Sequence, residues 1–260
     1  MTIEKDNIYN IDCIEGMKMI PDNSIDCIIC DLPYGTTACA WDSIIPFDKL
    51  WAEYKRIRKP NAPILLFGSE PFSTMLRMSN LKEWRYDWIW QKNNATGFLH
   101  AKNAPRKDYE IISAFCQYGF GHVSTMGEKR MPYNPQGLAK LDKPILCKAR
   151  DNKYFEGFSG ARFTKDSVTE YTNYPTTHLN FDLESNGFHP TQKPLDLLRY
   201  LVLTYSNEGD TILDNTCGSG TTCVAAYKEK RHFIGFELNK EYYDKALQRI
   251  NRERQQLTLF

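Results

Sequence analysis

The stretch TILDNTCGSGTTCVAA, residues 211–226, restricts the fold more than any other part of the chain. It reads as a short apolar strand, a glycine turn and the start of a helix that runs on through SGTTCVAAYKEK. Gly218 and Gly220 allow a tight turn and close approach of backbone to a ligand. The helix behind them begins with unpaired N–H groups. The next strand-like run, HFIGFE, ends at Glu237, 19 positions beyond Gly218. A carboxylate at that distance suits ribose hydroxyls. Three cofactor classes use such a turn. A nucleoside triphosphate is disfavoured, because no lysine follows the glycines. A dinucleotide stays open, although Cys223 stands where a third glycine belongs. A nucleoside without pyrophosphate remains, with S-adenosylmethionine the common case. Taken alone, the turn is equally compatible with a structural role.

Residues 25–31 (IDCIICD), 63–68 (PILLFG), 86–91 (YDWIWQ) and 110–116 (EIISAFC) read as further strands. Residues 46–59 have helical spacing of Phe47, Leu50, Trp51, Tyr54 and Ile57. Residues 71–80 form a helix opened by Pro71, and residues 194–206 and 239–254 are helical. Short apolar runs alternating with amphipathic helices imply an α/β fold with a mostly parallel sheet. After about residue 119 the periodicity fades into Gly, Pro, Asn and isolated aromatics as far as residue 187. An unstructured loop of that length is uncommon in a compact domain. The expected division is therefore a catalytic domain of residues 1–119 and 188–260, with residues 120–187 an inserted target-recognition region.

A chain of 260 residues suits one large domain with an insertion. No apolar run approaches the roughly 18 residues that a membrane span needs, and the polar start MTIEKDNIYN is not a signal peptide. Eight cysteines without a framework point to reduced thiols in a cytoplasm. Cys27 and Cys30 form a C-x-x-C inside a strand, where they face opposite sides and pack rather than bind metal. The five histidines have no ligand spacing, so no metal is expected. Net charge is +1, so any nucleic-acid surface must be local. Residues 77–107 carry Arg77, Lys82, Arg85, Lys92, Lys102, Arg106 and Lys107 against Glu83 and Asp87. Residues 129–165 carry nine Lys and Arg against three acids, interleaved with Tyr133, Tyr154, Phe155 and Phe158. Both segments suit phosphate contact, and both suit a merely solvated face.

A second stretch, CDLPYG, places a carboxylate, a proline and a tyrosine at the end of an apolar strand. Together with DNTCGSGTT and HPTQKP (189–194), it resembles the DNA amino-methyltransferases, which methylate adenine N6 or cytosine N4. DLPY looks like their catalytic [DNS]-P-P-[YF] tetrapeptide, with Leu32 at a position where proline is usual. The tetrapeptide precedes the glycine turn, as in the circularly permuted beta group of that family. The resemblance covers residues 7–119 and 188–250. It implies a Rossmann-like methyltransferase sheet with helices on both faces, S-adenosylmethionine as cofactor, duplex DNA as partner, and a bacterial or phage-infected cytoplasm near the nucleoid. A homodimer and a restriction–modification setting are compatible with it.

The resemblance also assigns residues. Asp12 matches the acid that meets the cofactor adenine, and Glu237 the ribose carboxylate. Asp214, Thr216, Gly218, Gly220 and Thr221 match the cofactor loop, and Lys193 a cofactor-proximal segment. Trp90 and Arg106 fall where the family builds its substrate pocket wall and DNA cleft. Asp31, which also borders the cofactor, accepts one N–H of the target amine. A carbonyl of Leu32 or Pro33 accepts the other, and the fixed φ of Pro33 holds it in place. Such acceptors are preorganised where positive charge develops on nitrogen. Tyr34 stacks on a base that has left the duplex. Singly, these residues have plainer readings: Asp31 as a cap or turn acid, Tyr34 and Trp90 as packed aromatics, and Asp12, Glu237, Lys193 and Arg106 as ordinary charges. The joint pattern favours adenine N6 methylation. Cytosine N4 methylation, a glutamine or RNA amine methyltransferase, and an inactive DNA-binding module are the alternatives.

Overall fold

Alternation along β2 (Cys27–Asp31) shows how the sequence builds two cores. Cys27 and Ile29 join one apolar cluster with Leu65, Phe67 and Ile212, while Ile28 and Cys30 join another with Ile64, Leu66 and Leu213. The two cysteines therefore face opposite sides of the sheet. The computed structural model describes residues 3–35, 42–119, 127–148, 166–183 and 192–257. Tyr154, Phe155, Phe158 and residues 189–191 of HPTQKP lie outside them.

β1 (Asn7–Tyr9) leads to helix α1 (Cys13–Lys18), and β2 leads through α2 (Phe47–Ile57) to β3 (Ile64–Gly68). Helix α3 (Phe72–Ser79) and the hairpin β4 (Trp84–Thr96) and β5 (Lys107–Phe115) follow. Three strands lie in the poorly periodic middle: β6 (Ala139–Cys147), β7 (Ser167–Thr172) and β8 (His178–Asn180). Regular alternation resumes with α4 (Leu195–Tyr205), β9 (Thr211–Asp214), α5 (Thr221–Lys228), β10 (His232–Phe236) and α6 (Lys240–Leu257).

The main sheet has the order β1-β10-β9-β2-β3-β5-β4-β8, and only β5 runs against its neighbours. β9 connects through α5 toward one edge, and β2 connects through α2 toward the other. Crossovers of one hand that step in opposite directions place their helices on opposite faces. Accordingly Cys223, Val224 and Leu201 of α5 and α4 pack on the Cys27 face, and Leu50, Tyr54 and Met17 of α2 and α1 pack on the Cys30 face. This is the Rossmann-like sheet, helices on both faces, that the sequence led us to expect.

Described residues of the middle region fasten to this body. β8 pairs with β4, burying Leu179, and Asn134 donates its backbone N–H to Thr204 at the end of α4. β6 and β7 form a separate two-stranded ribbon with Ile145, Leu146 and Val168 exposed. No helix among the described residues is long and apolar enough to cross a membrane.

A buried ion pair ties the end of α2 to the start of β4. Arg58, 2% exposed, meets both oxygens of Glu83 at 2.8 and 2.9 Å, and Asn80 Nδ2 donates to Glu83 at 3.0 Å. Glu83→Ala leaves the guanidinium buried without its partner and is expected to cost about 3–5 kcal/mol in urea unfolding. A loss below about 1 kcal/mol would show the pair to be structurally idle.

Candidate active site

The strand order reverses between β9 and β2, and the carboxyl ends of strands that flank such a reversal open a crevice. Both strands end in an acid, Asp214 and Asp31. A cavity of about 270 Å³ opens there, lined by both acids together with Asp12, Lys193 and Glu237. Leu32, Pro33, Tyr34, Thr216, Gly218 and Thr221 also line it. Most of the residues singled out by sequence therefore converge on one space.

The glycine turn is held open by side chains behind it. Gly218 and Gly220 have φ of 50° and 74°, in the left-handed region. At Gly220, the residue before α5, a Cβ would also stand 3.1 Å from that of Ala246. Glu237 grips the turn: one oxygen accepts from the Gly218 N–H at 2.9 Å, the other from the Asn239 N–H at 2.7 Å. Burial raises its carboxyl above the usual range, against those backbone hydrogen bonds. The Thr221 hydroxyl accepts from Arg249 of α6 at 2.7 Å, so it anchors the turn to that helix. Asp12 sits exposed at the cavity mouth and caps α1, accepting from Ile14 and Glu15 N–H at 2.9 and 3.1 Å.

Thr216 joins the two halves of the site. Its hydroxyl donates to the Asp31 carbonyl at 3.0 Å, and its N–H to the Asp214 carboxyl at 3.2 Å. Beneath them lies a polar knot that sequence reading missed. Asn215 Oδ1 accepts from Tyr54 Oη at 2.5 Å and from Cys30 Sγ at 2.8 Å.

Burial pushes the Asp214 carboxyl up to about 7. The folded protein thus keeps this proton far above 3.8, where an ordinary aspartate loses it. Its contribution to stability is complete below that value and falls by up to ~1.4 kcal/mol per pH unit as pH rises to 7. Asp214→Asn is expected to flatten this slope in denaturant midpoints recorded from acid to neutral pH.

The DLPY tetrapeptide closes the other side. Asp31 receives the Tyr34 hydroxyl on Oδ1 at 2.6 Å and the Lys193 ammonium on Oδ2 at 2.5 Å. Lys193 is 8% exposed and also lies 3.2 Å from Glu110 of β5, whose other oxygen meets Lys92. Burial draws the Lys193 ammonium down, but Asp31 and Glu110 outweigh it and hold it above the usual lysine range. The same cations, Lys193 and Lys92, outweigh burial at Glu110 and hold its carboxyl low. Glu110 was missed by sequence, where it reads as the polar first residue of a strand. The Tyr34 ring stacks on Phe72 at 5.0 Å between centroids.

Two expected substrate residues stand apart. Trp90 is 1% exposed in the core, donating its indole N–H to the Phe181 carbonyl at 2.9 Å, and does not line the cavity. Arg106 lies on the exposed β4–β5 turn, over the Phe98 ring at 5.9 Å.

A parallel sheet reversing between two acids, over a glycine turn gripped by a third, defines a nucleoside-binding α/β protein. Residues 25–248 match the family described as DNA methylase, the N6 and N4 methyltransferases, and the chain belongs to it. It is 26% identical over 262 residues to the Type II methyltransferase M1.MboII of Moraxella bovis, covering 94% of this chain and 96% of that one. It is 29% identical over 254 residues to the Type II methyltransferase M.HpaI of Haemophilus parainfluenzae, covering 92% and 72%. The fold matches a crystal structure of an M1.HpyAVI–SAM complex, with a TM-score of 0.58, 23% identity and 94% and 98% coverage. It also matches the cytosine-N4-specific PvuII DNA methyltransferase, with a TM-score of 0.61, 14% identity and 95% and 86% coverage.

Proposed function

We propose that this DNA methylase transfers a methyl group from S-adenosylmethionine to adenine N6 in duplex DNA, at a specific sequence, beside a restriction system in a bacterial cytoplasm. The observation that carries the reading is Asp31, held at the switch point across from the glycine turn by Lys193 and Thr216. The cavity fits the cofactor. Glu237 and the left-handed turn offer a carboxylate and close backbone to a ribose, and Asp12 stands at the mouth for the adenine. Asp31 and Asp214 line the same cavity and offer carboxyl oxygens to a cationic ligand. When bound, the cofactor supplies an electrophilic methyl group on a sulfonium.

The protein's part is to make a poor nucleophile competent. The lone pair of an exocyclic amine is delocalised into its ring. Asp31 Oδ1 accepts one amine N–H in the place where the Tyr34 hydroxyl now sits, and a backbone carbonyl of Leu32 or Pro33 accepts the other. Pro33 fixes that carbonyl, and Tyr34, freed from Asp31, turns a ring face to the extruded base. Lys193 holds the Asp31 carboxylate in place from its other oxygen. Correct placement of amine and methyl group can supply roughly 7–11 kcal/mol of the barrier.

The test is transfer from labelled cofactor to unmethylated bacterial DNA, with digested nucleosides identified by mass. N6-methyladenine is the expected product. N4-methylcytosine would keep the mechanism and change the base, and absence of product from a folded, cofactor-binding protein would overturn the reading.

A further inference from the structure

The β4–β5 hairpin runs past the cavity. Trp90 pairs with Glu110, which lines the cavity, and the last pair, Thr96 with Lys107, lies three residues nearer the tip along β5, after a register shift in β4. At strand spacing that is roughly 10 Å beyond the site, on the same edge of the sheet. Gly97, at φ 84°, then turns the chain into a short 3-10 turn at Phe98–His100. The tip closes on itself: His100 N–H donates to Gly97 at 3.0 Å, and Asn103 and Ala104 N–H donate to His100 at 2.8 and 3.0 Å. Arg106 reaches back to the Ala95 carbonyl and lies over Phe98.

This turn holds two largely exposed apolar side chains, one of them with Arg106 over its ring. Phe98 is 77% exposed and Leu99 92%. One exposed apolar residue is ordinary. Here two neighbours project from a braced turn at the rim of the substrate site. From Gly97 to Lys107 the chain carries Lys102, Arg106 and Lys107 and no Asp or Glu, while Lys92 is paired with Glu110. Apolar side chains rimmed by cations match the stacked bases and flanking phosphates of a duplex.

We propose that Phe98 and Leu99 form a wedge that enters duplex DNA beside the target and fills the space left when the base moves into the cavity. The proposal rests on the DNA methylase reading above. Arg106 then serves as a positioning residue for Phe98, and Lys102 as a phosphate contact.

Sequencing genomic DNA methylated by the wild-type protein gives the target position. A duplex of that sequence carries 2-aminopurine at a methylated adenine, or pyrrolocytosine at a methylated cytosine. Wild type is expected to raise its fluorescence. The double variant Phe98→Ala/Leu99→Ala is expected to lose most of that rise. Its kcat/KM on the duplex is expected to fall about tenfold to hundredfold. Its rate on the same sequence mismatched at the target, where extrusion is easy, is expected to stay near wild type. Phe98→Trp, which keeps an apolar plate, is expected to keep the fluorescence. Both side chains are exposed, so thermal midpoints and cofactor affinity should not move. Wild-type fluorescence with kcat/KM within about twofold in the double variant would overturn the wedge. An equal loss on the mismatched duplex would also overturn it, by making the turn a general docking contact. Failure of the wild type to methylate any DNA would instead remove the underlying reading.

Discussion

Asp31→Ala is expected to lower the single-turnover rate of methyl transfer by about 10²–10³-fold or more. Asp31 is the one carboxylate at the end of β2, and it faces the cavity with both oxygens engaged, one by Tyr34 and one by Lys193. Alanine removes the acceptor that draws an amine hydrogen into place, and no neighbour on β2 replaces it. The loss belongs mainly in the chemical step. The glycine turn is held by Glu237 and Arg249 rather than by the Asp31 carboxylate, so cofactor affinity should change far less. Rapid-quench measurement with excess enzyme, beside cofactor titration, separates the two. A rate within about tenfold of wild type would remove Asp31 from the chemistry.

Lys193→Met is the second large effect. The ammonium stands between Asp31 and Glu110, nearly closed to water. Without it, two carboxylates share a buried space, and one is driven to take up a proton. Removal of one partner from such a cluster costs about 3–5 kcal/mol of stability. Its signature in activity is a shifted pH profile. Glu110 loses a cation that holds its carboxyl low against burial, so the variant's pH profile should differ in shape from that of the wild type. The expected deficit at neutral pH is about 10²-fold. A variant whose profile parallels that of the wild type at reduced height would assign Lys193 to folding alone.

Glu110 shows why only part of this site was legible in the sequence. Asp31, Tyr34 and Glu237 sit where local strands end, so a short apolar run followed by an acid marks each of them. Glu110 lies inside β5 ahead of its apolar run, and its meaning comes from Lys193 on a distant segment, which no local pattern can announce. Trp90 shows the opposite limit: although it pairs with cavity-lining Glu110, its side chain alternates inward, and in β4 the inward face is the core. The strands β2, β3, β9 and β10 were readable as short apolar runs, and the helices α2 and α4 by their helical spacing. β1 and α1 are too short for one, although Asp12 followed by Glu15 was an available helix-start signal. β4 extends beyond Gln91 through KNNAT, a polar and largely exposed segment with no apolar alternation to mark it. Within residues 120–187, the ribbon β6–β7 exposes both faces, so burial never imposed a pattern on it.

The seam between β2 and β9 has a consequence for how the chain reaches its native state. Cys30 and Leu213 lie 183 positions apart, and Asp31 and Thr216 lie 185 apart. Bringing them together closes a loop that spans most of the polypeptide, and such closure costs entropy before its contacts form. The strand β2 with β3 and the hairpin can gather locally, as can β9, α5 and β10. The binding space exists only after these two assemblies meet. Cofactor uptake therefore reports on the last long-range event of folding, and ligand present during refolding should trap the joined state by mass action. An unfinished chain holds neither a methyl donor nor a base.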